Sequence, residues 1–144
     1  MKLTIELVPK TAWYSNVRSN VSSSEWDILR KDCYVKANHK CEICGGIGHR
    51  HPVEAHEVWE YNNNNKTQTL KRLIALCPNC HKTKHVGLAK IRGEVETVIN
   101  QLMNVNGMNR CEALEYIDKS FDIWRDRSQH EWELNIDYIK DKLN

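Results

Sequence analysis

The chain has 144 residues, 40% hydrophobic and 28% charged, which are the proportions of a soluble folded domain and not of a disordered or fibrous chain. The length suits one compact unit with attachments, and no apolar run reaches the roughly 18 to 20 residues of a membrane helix. The net charge of +2 hides a division: residues 1–92 carry fifteen Lys and Arg against eight Asp and Glu, residues 93–144 six against eleven. A basic first part is a modest pointer to a polyanionic partner, and a solvated face has the same look.

The start, "MKLTIELVP", alternates Leu3, Ile5 and Leu7 with polar neighbours and predicts a short half-buried strand ended by Pro9. Glu6 inside that stretch excludes a secretory signal, so the expected location is cytoplasmic. "SSSEWDILRKDCYVKANHK" predicts a helix starting near Ser22 to Ser24. Ser22 and Glu25 have the spacing of a capping box, and Trp26, Leu29 and Cys33 lie on one stripe. "HPVEAHEVWEY" and "LKRLIALC" read as two strands, and the polar "NNNNKTQT" between them predicts a hairpin or broad loop. His49 and His51, in "GHRHP", read as loop surface.

"CPNCHKTKHVGLAKI" opens with Pro78, favoured in a first helical turn, and predicts a helix to about Gly87. The remainder reads as wholly helical. Val95, Val98 and Leu102 mark one helix. Leu114, Ile117, Phe121 and Trp124 mark a second, opened by Asn109 three residues before Glu112. Trp132, Ile136 and Ile139 mark a third. These stripes are packing surfaces, and the chain has no internal repeat.

Four of the six cysteines form two C-x-x-C pairs, Cys41 with Cys44 and Cys77 with Cys80, separated by 32 residues. In a reducing compartment that pattern reads as metal ligation, because each tight turn brings two sulfurs to one ion and zinc takes four at about 2.3 Å. A redox disulfide at "CPNC" needs no second pair, and the chain lacks the βαβ pattern that houses one. A structural zinc contributes on the order of 10 kcal/mol, so its loss should unfold the middle of the protein. Cys33 and Cys111 stand alone and read as buried small hydrophobes. His81 and His85, four apart, project from one helical face and can chelate a second ion. Lys82 stands where an H-E-x-x-H peptidase has its general base, which argues against that activity.

The run from Cys41 to His85, "CEICGG…VEAHEVW…LKRLIALCPNCHKTKH", resembles an HNH nuclease of the ββα-metal type with four zinc-binding cysteines. The resemblance covers about 45 of the 144 residues. It implies an α+β fold in three parts. Residues 1–40 are a short N-terminal strand and helix packed on the core, residues 41–92 the ββα-metal zinc module, and residues 93–144 a helical C-terminal extension. It also implies a divalent-metal-dependent endonuclease that hydrolyses phosphodiester bonds, with double-stranded DNA the more expected substrate. The alternative is an HNH-like zinc module that binds nucleic acid or a protein without cleavage. No membrane partner is implied, and the C-terminal helices offer a surface for a homodimer or a protein partner.

Carried over by residue, Cys41, Cys44, Cys77 and Cys80 would hold a structural Zn²⁺. His56, His81 and His85 would hold a catalytic Mg²⁺, Mn²⁺, Ni²⁺ or Zn²⁺, and His56, Glu57 and His81 form the catalytic set. The family's first motif pairs a metal-binding residue with a general-base His, and here "AHEV" departs from it. His56 as ligand leaves Glu57 as base, whereas His56 as base leaves Ala55 where a ligand belongs. The spacing to the helix favours His56 as ligand, but adjacent strand residues point to opposite faces, so His56 and Glu57 share a site only if the strand bends or bulges. Arg72 replaces the family's central Asn. With Lys71, Lys82 and Lys84, and with Lys90 and Arg92 nearby, it would contact phosphates without reading bases.

Overall fold

In the computed structural model, which describes residues 1–12, 16–48 and 52–144, six helices surround a three-stranded sheet. His49 and His51 lie outside the described residues. After short 3₁₀ turns at Lys10–Ala12 and Arg18–Asn20 come α1 (Ser23–Lys36), β1 (Glu54–Asn62), β2 (Thr67–Leu76), α2 (Pro78–Lys84) and α3 (Val86–Ile91). The chain ends in α4 (Val95–Asn106), α5 (Arg110–Arg127), β3 (Glu133–Asn135) and α6 (Asp137–Leu143). The architecture is α+β, and no helix among the described residues is long and apolar enough to cross a membrane.

The capping boxes form as their sequences demand. Ser22 accepts from the Glu25 amide while Glu25 accepts from the Ser22 amide, and Asn109 and Glu112 repeat the exchange at α5. β1 and β2 pair antiparallel, with His56 opposite Ile74 and Glu54 opposite Leu76. The polar link between them closes on Asn62, whose Oδ1 accepts from the amides of Asn64 and Asn65 at 2.9 and 3.3 Å. "LIAL" at the end of β2 is buried at all four positions, whereas β1 is mostly half-buried.

Three expectations need correction. Residues 2–9 pair with no strand among the described residues. Leu3 and Ile5 are buried as the alternation requires, but side chains stand in for a ladder. Asn106 both accepts from the Leu3 amide and donates to the Leu3 carbonyl, and the Tyr116 hydroxyl accepts from the Ile5 amide at 2.8 Å. The helix from Pro78 breaks at His85 (φ −110°, ψ 46°) into α2 and α3. The C-terminal part is not wholly helical. Trp132, Leu134 and Ile136 alternate with polar residues, and β3 adds parallel to β2 at Thr67–Thr69 before α6 begins.

Helix stripes form the rest of the core: Leu29 and Cys33 of α1; Val98, Ile99 and Leu102 of α4; Ala113 and Ile117 of α5. On α5 the buried line runs Ala113, Ile117, Ser120, so Leu114 stays largely exposed. Lys84 is buried to 6% exposure and donates to Glu6 and Thr4, both at 3.0 Å, which pins the N-terminal segment to α2 beside His85.

Two candidate metal centres

The first centre gathers Cys41, Cys44, Cys77 and Cys80, whose sulfurs all lie within 4.8 Å of one another. Each C-x-x-C turn aims amides at its own sulfurs. Cys44 N–H points to the Cys41 Sγ at 3.5 Å, Gly46 N–H to the Cys44 Sγ at 3.4 Å, and Cys80 N–H to the Cys77 Sγ at 3.4 Å. Gly45 takes φ +76°, and a Cβ on Gly46 would stand 3.3 Å from the Cys44 sulfur. The two glycines therefore serve the turn.

Glu42 ties the first turn to the sheet: its amide donates to the Ala75 carbonyl, and its carboxylate accepts from the Ala75 amide at 2.7 Å. Gln101, from α4, donates to the Cys80 Sγ at 3.2 Å. Two sulfurs bound at about 2.3 Å to a tetrahedral ion stand about 3.8 Å apart. The Cys44 and Cys77 sulfurs are 3.6 Å apart, so the group fits a structural metal ion such as zinc. A hydrogen bond from Cys80 draws the Cys41 thiol down to about 4. The same bond, together with burial, pushes Cys80 up, and burial pushes Cys77 up to about 11.

The second centre gathers His56 from β1, His81 from α2 and His85 from the α2–α3 break, with ring nitrogens again within 4.8 Å of one another. The three rings meet edge to face, with centroids 4.7 to 5.3 Å apart. His81 Nε2 and His85 Nε2 are 3.1 Å apart. Two nitrogens held at about 2.0 to 2.1 Å by one ion stand about 3.0 to 3.4 Å apart, for octahedral and tetrahedral geometry respectively. This group also fits a divalent cation. Desolvation, with His85 and His81 close by, pushes the His56 imidazole down to about 2, and desolvation within the cluster pushes His85 down to about 4. Both are neutral at pH 7, the state in which imidazole offers a lone pair.

Glu54 was not singled out in the sequence, yet its Oε2 lies 2.5 Å from Nδ1 of His81. That bond leaves the Nε2 of His81 facing the other imidazoles, an orientation metal-binding histidines commonly receive from a carboxylate. The signal was present: Glu54 and His56 are two apart on a strand and so share a face.

Glu57 points from the other face of β1, and the irregularity in the pairing lies between Val58 and Trp59, not beside His56. Its Oε1 accepts from the Val17 amide at 3.2 Å, and burial pushes its carboxyl up. Glu57 is not in the imidazole cluster, but both faces of β1 border one groove of about 860 Å³ that Glu54, His56, Glu57, His81 and His85 line.

The cations expected to meet phosphate have carboxylate neighbours. Arg72 donates to Glu42 at 2.6 Å, Lys82 bonds Glu94, Lys71 lies 3.9 Å from Glu60, and Lys84 is held by Glu6. No protein-family model, curated protein or solved structure matches this chain.

Proposed function

We propose that this chain is a metal-dependent endonuclease of the HNH, ββα-metal type, hydrolysing phosphodiester bonds in nucleic acid. The observation that carries the reading is the convergence of His56, His81 and His85 from a β-hairpin and the helix after it, beside a separate four-thiol group. In this reading Cys41, Cys44, Cys77 and Cys80 hold the structural zinc, and His56, His81 and His85 hold the catalytic ion. A divalent ion bound there supplies positive charge for the scissile phosphate and the leaving 3′ oxygen.

The protein's own groups supply the rest. Glu54 fixes the ring of His81, so that its Nε2 stays directed at the cluster. Glu57, on the wall of the same groove, takes the proton of the attacking water; burial raises its carboxyl above the ordinary carboxylate range, which makes it a stronger base than an exposed glutamate. Lys71, Arg72 and Lys82 are at least partly exposed and contact backbone phosphates in exchange for their present carboxylates. Lys84 is buried and acts as an internal anchor beside His85.

A non-catalytic binding module is the second reading, and the observation on its side is the Val17 amide that already occupies Glu57. Plasmid nicking with Mg²⁺, Mn²⁺ or Ni²⁺, compared between wild type and His81→Ala after both are shown to retain zinc, separates the two. The nuclease reading expects nicking that the variant loses. A zinc-loaded wild type that cleaves neither DNA nor RNA favours the binding module.

A further inference from the structure

The groove at the imidazole cluster is larger and more aromatic than contact with a phosphate backbone requires. At about 860 Å³ it lies in the upper part of the roughly 300–1,000 Å³ range of sites that enclose small organic ligands. Beside the three histidines its lining includes Trp26, Tyr34, Trp59, Phe121 and Trp124, which come from α1, β1 and α5. Trp26 and Tyr34 are eight residues apart on α1, about 12 Å along its axis, so they mark two separate stations on one wall. Arg18 also lines the groove, with its guanidinium 5.4 Å from the Trp26 ring centroid. The Trp124 indole is held in place by its bond to the Val8 carbonyl at 3.0 Å.

Resting on the nuclease reading, we infer that this groove receives an unpaired nucleotide, and that the preferred substrate is a single strand or an unstacked site in a duplex. An intact duplex presents phosphates and groove edges, and its base faces are buried against one another. Aromatic side chains sunk in a cleft gain stacking contact only from bases whose faces are free. A cationic guanidinium lying over one of those rings adds a phosphate contact beside the stacked base. The imidazoles in the same groove then lie next to the backbone of the strand that the aromatics hold.

The test is fluorescence anisotropy on the zinc-loaded protein with Ca²⁺ in place of a cleavage-supporting ion. The probes are a labelled dT12 strand, the same strand paired with dA12, and an abasic strand of equal length. Cleavage of the single strand and of plasmid is followed in parallel with Mn²⁺. The inference expects dT12 to bind at least tenfold more tightly than the duplex or the abasic strand. Trp26→Ala or Tyr34→Ala should weaken dT12 binding by about 5- to 150-fold, the range of one lost stacking contact. The abasic comparison on wild type holds even if a variant folds poorly. Equal or tighter binding of the duplex or the abasic strand overturns the inference, as it would if the groove held a protein segment, and does so even where nicking persists. Cleavage absent on every substrate overturns the nuclease reading instead, whatever the binding arms show.

Discussion

The Glu54 carboxylate lies 2.5 Å from Nδ1 of His81, and on the far side of that ring Nε2 lies 3.1 Å from Nε2 of His85. One carboxylate thereby determines which nitrogen of His81 faces the cluster, because a ring whose Nδ1 carries the proton has its lone pair on Nε2.

Glu54→Gln should weaken divalent-metal binding at the three imidazoles by about 10- to 100-fold, the usual loss when such an outer partner is removed. The four-thiol centre shares no residue with that cluster, so its zinc should be retained. Calorimetric titration of Mn²⁺ into zinc-loaded wild type and variant reads the difference. Equal affinity would mean that His81 needs no orienting partner.

Lys84 and Glu6 join the N-terminal segment to α2, the lysine buried and the glutamate partly exposed. Lys84→Ala should cost about 1–3 kcal/mol, since it leaves Glu6 and Thr4 without their donor; the exposure of Glu6 keeps the figure below that of a fully buried pair. The double variant Lys84→Met with Glu6→Leu should recover part of that loss, because an apolar pair of similar volume replaces the ions. Urea denaturation of the three proteins checks this. A Lys84→Ala protein of unchanged stability would return Lys84 to the set of phosphate contacts.

Thiol reactivity separates the cysteines. Burial pushes the Cys33 thiol up to about 11, so at pH 8 roughly one part in a thousand is thiolate, and raising the pH towards 11 increases that fraction. Cys111 is exposed. Iodoacetamide on the zinc-loaded protein at pH 8 should label Cys111 and spare Cys33 and the four clustered thiols. After chelation, Cys44, the exposed member of the cluster, should be labelled as well, and near-ultraviolet dichroism should report loss of tertiary structure. Labelling of Cys33 as fast as Cys111 contradicts its burial.

Much of this site was legible in the sequence because its spacings have short-range causes. The two C-x-x-C turns, the hairpin and the capping boxes each depend on residues a few positions apart, and all form. What failed depends on distant partners. Residues 2–9 alternate like a strand, but Asn106 and Tyr116 satisfy their amides from more than a hundred positions away. The alternation of Trp132, Leu134 and Ile136 was masked by the helical spacing of Trp132, Ile136 and Ile139, and only the free edge of β2 favours the strand. Glu57 was paired with His56 as neighbours in sequence, whereas strand alternation brings Glu54 to the imidazoles and leaves Glu57 to the Val17 amide. The break at His85 has no Pro or Gly at that residue to announce it, yet the His85 amide still bonds the His81 carbonyl at 3.2 Å, so the spacing of four keeps the two imidazoles together.

The most direct test of the account combines metal content with cleavage. Wild type and His81→Ala are dialysed, their retained zinc is counted, and plasmid nicking is followed as Mn²⁺ is added. The account predicts one tightly held zinc per chain in both proteins, with nicking that rises and saturates with Mn²⁺ in the wild type and is lost in His81→Ala. Equal nicking by the two proteins, or none by a zinc-loaded wild type, contradicts it.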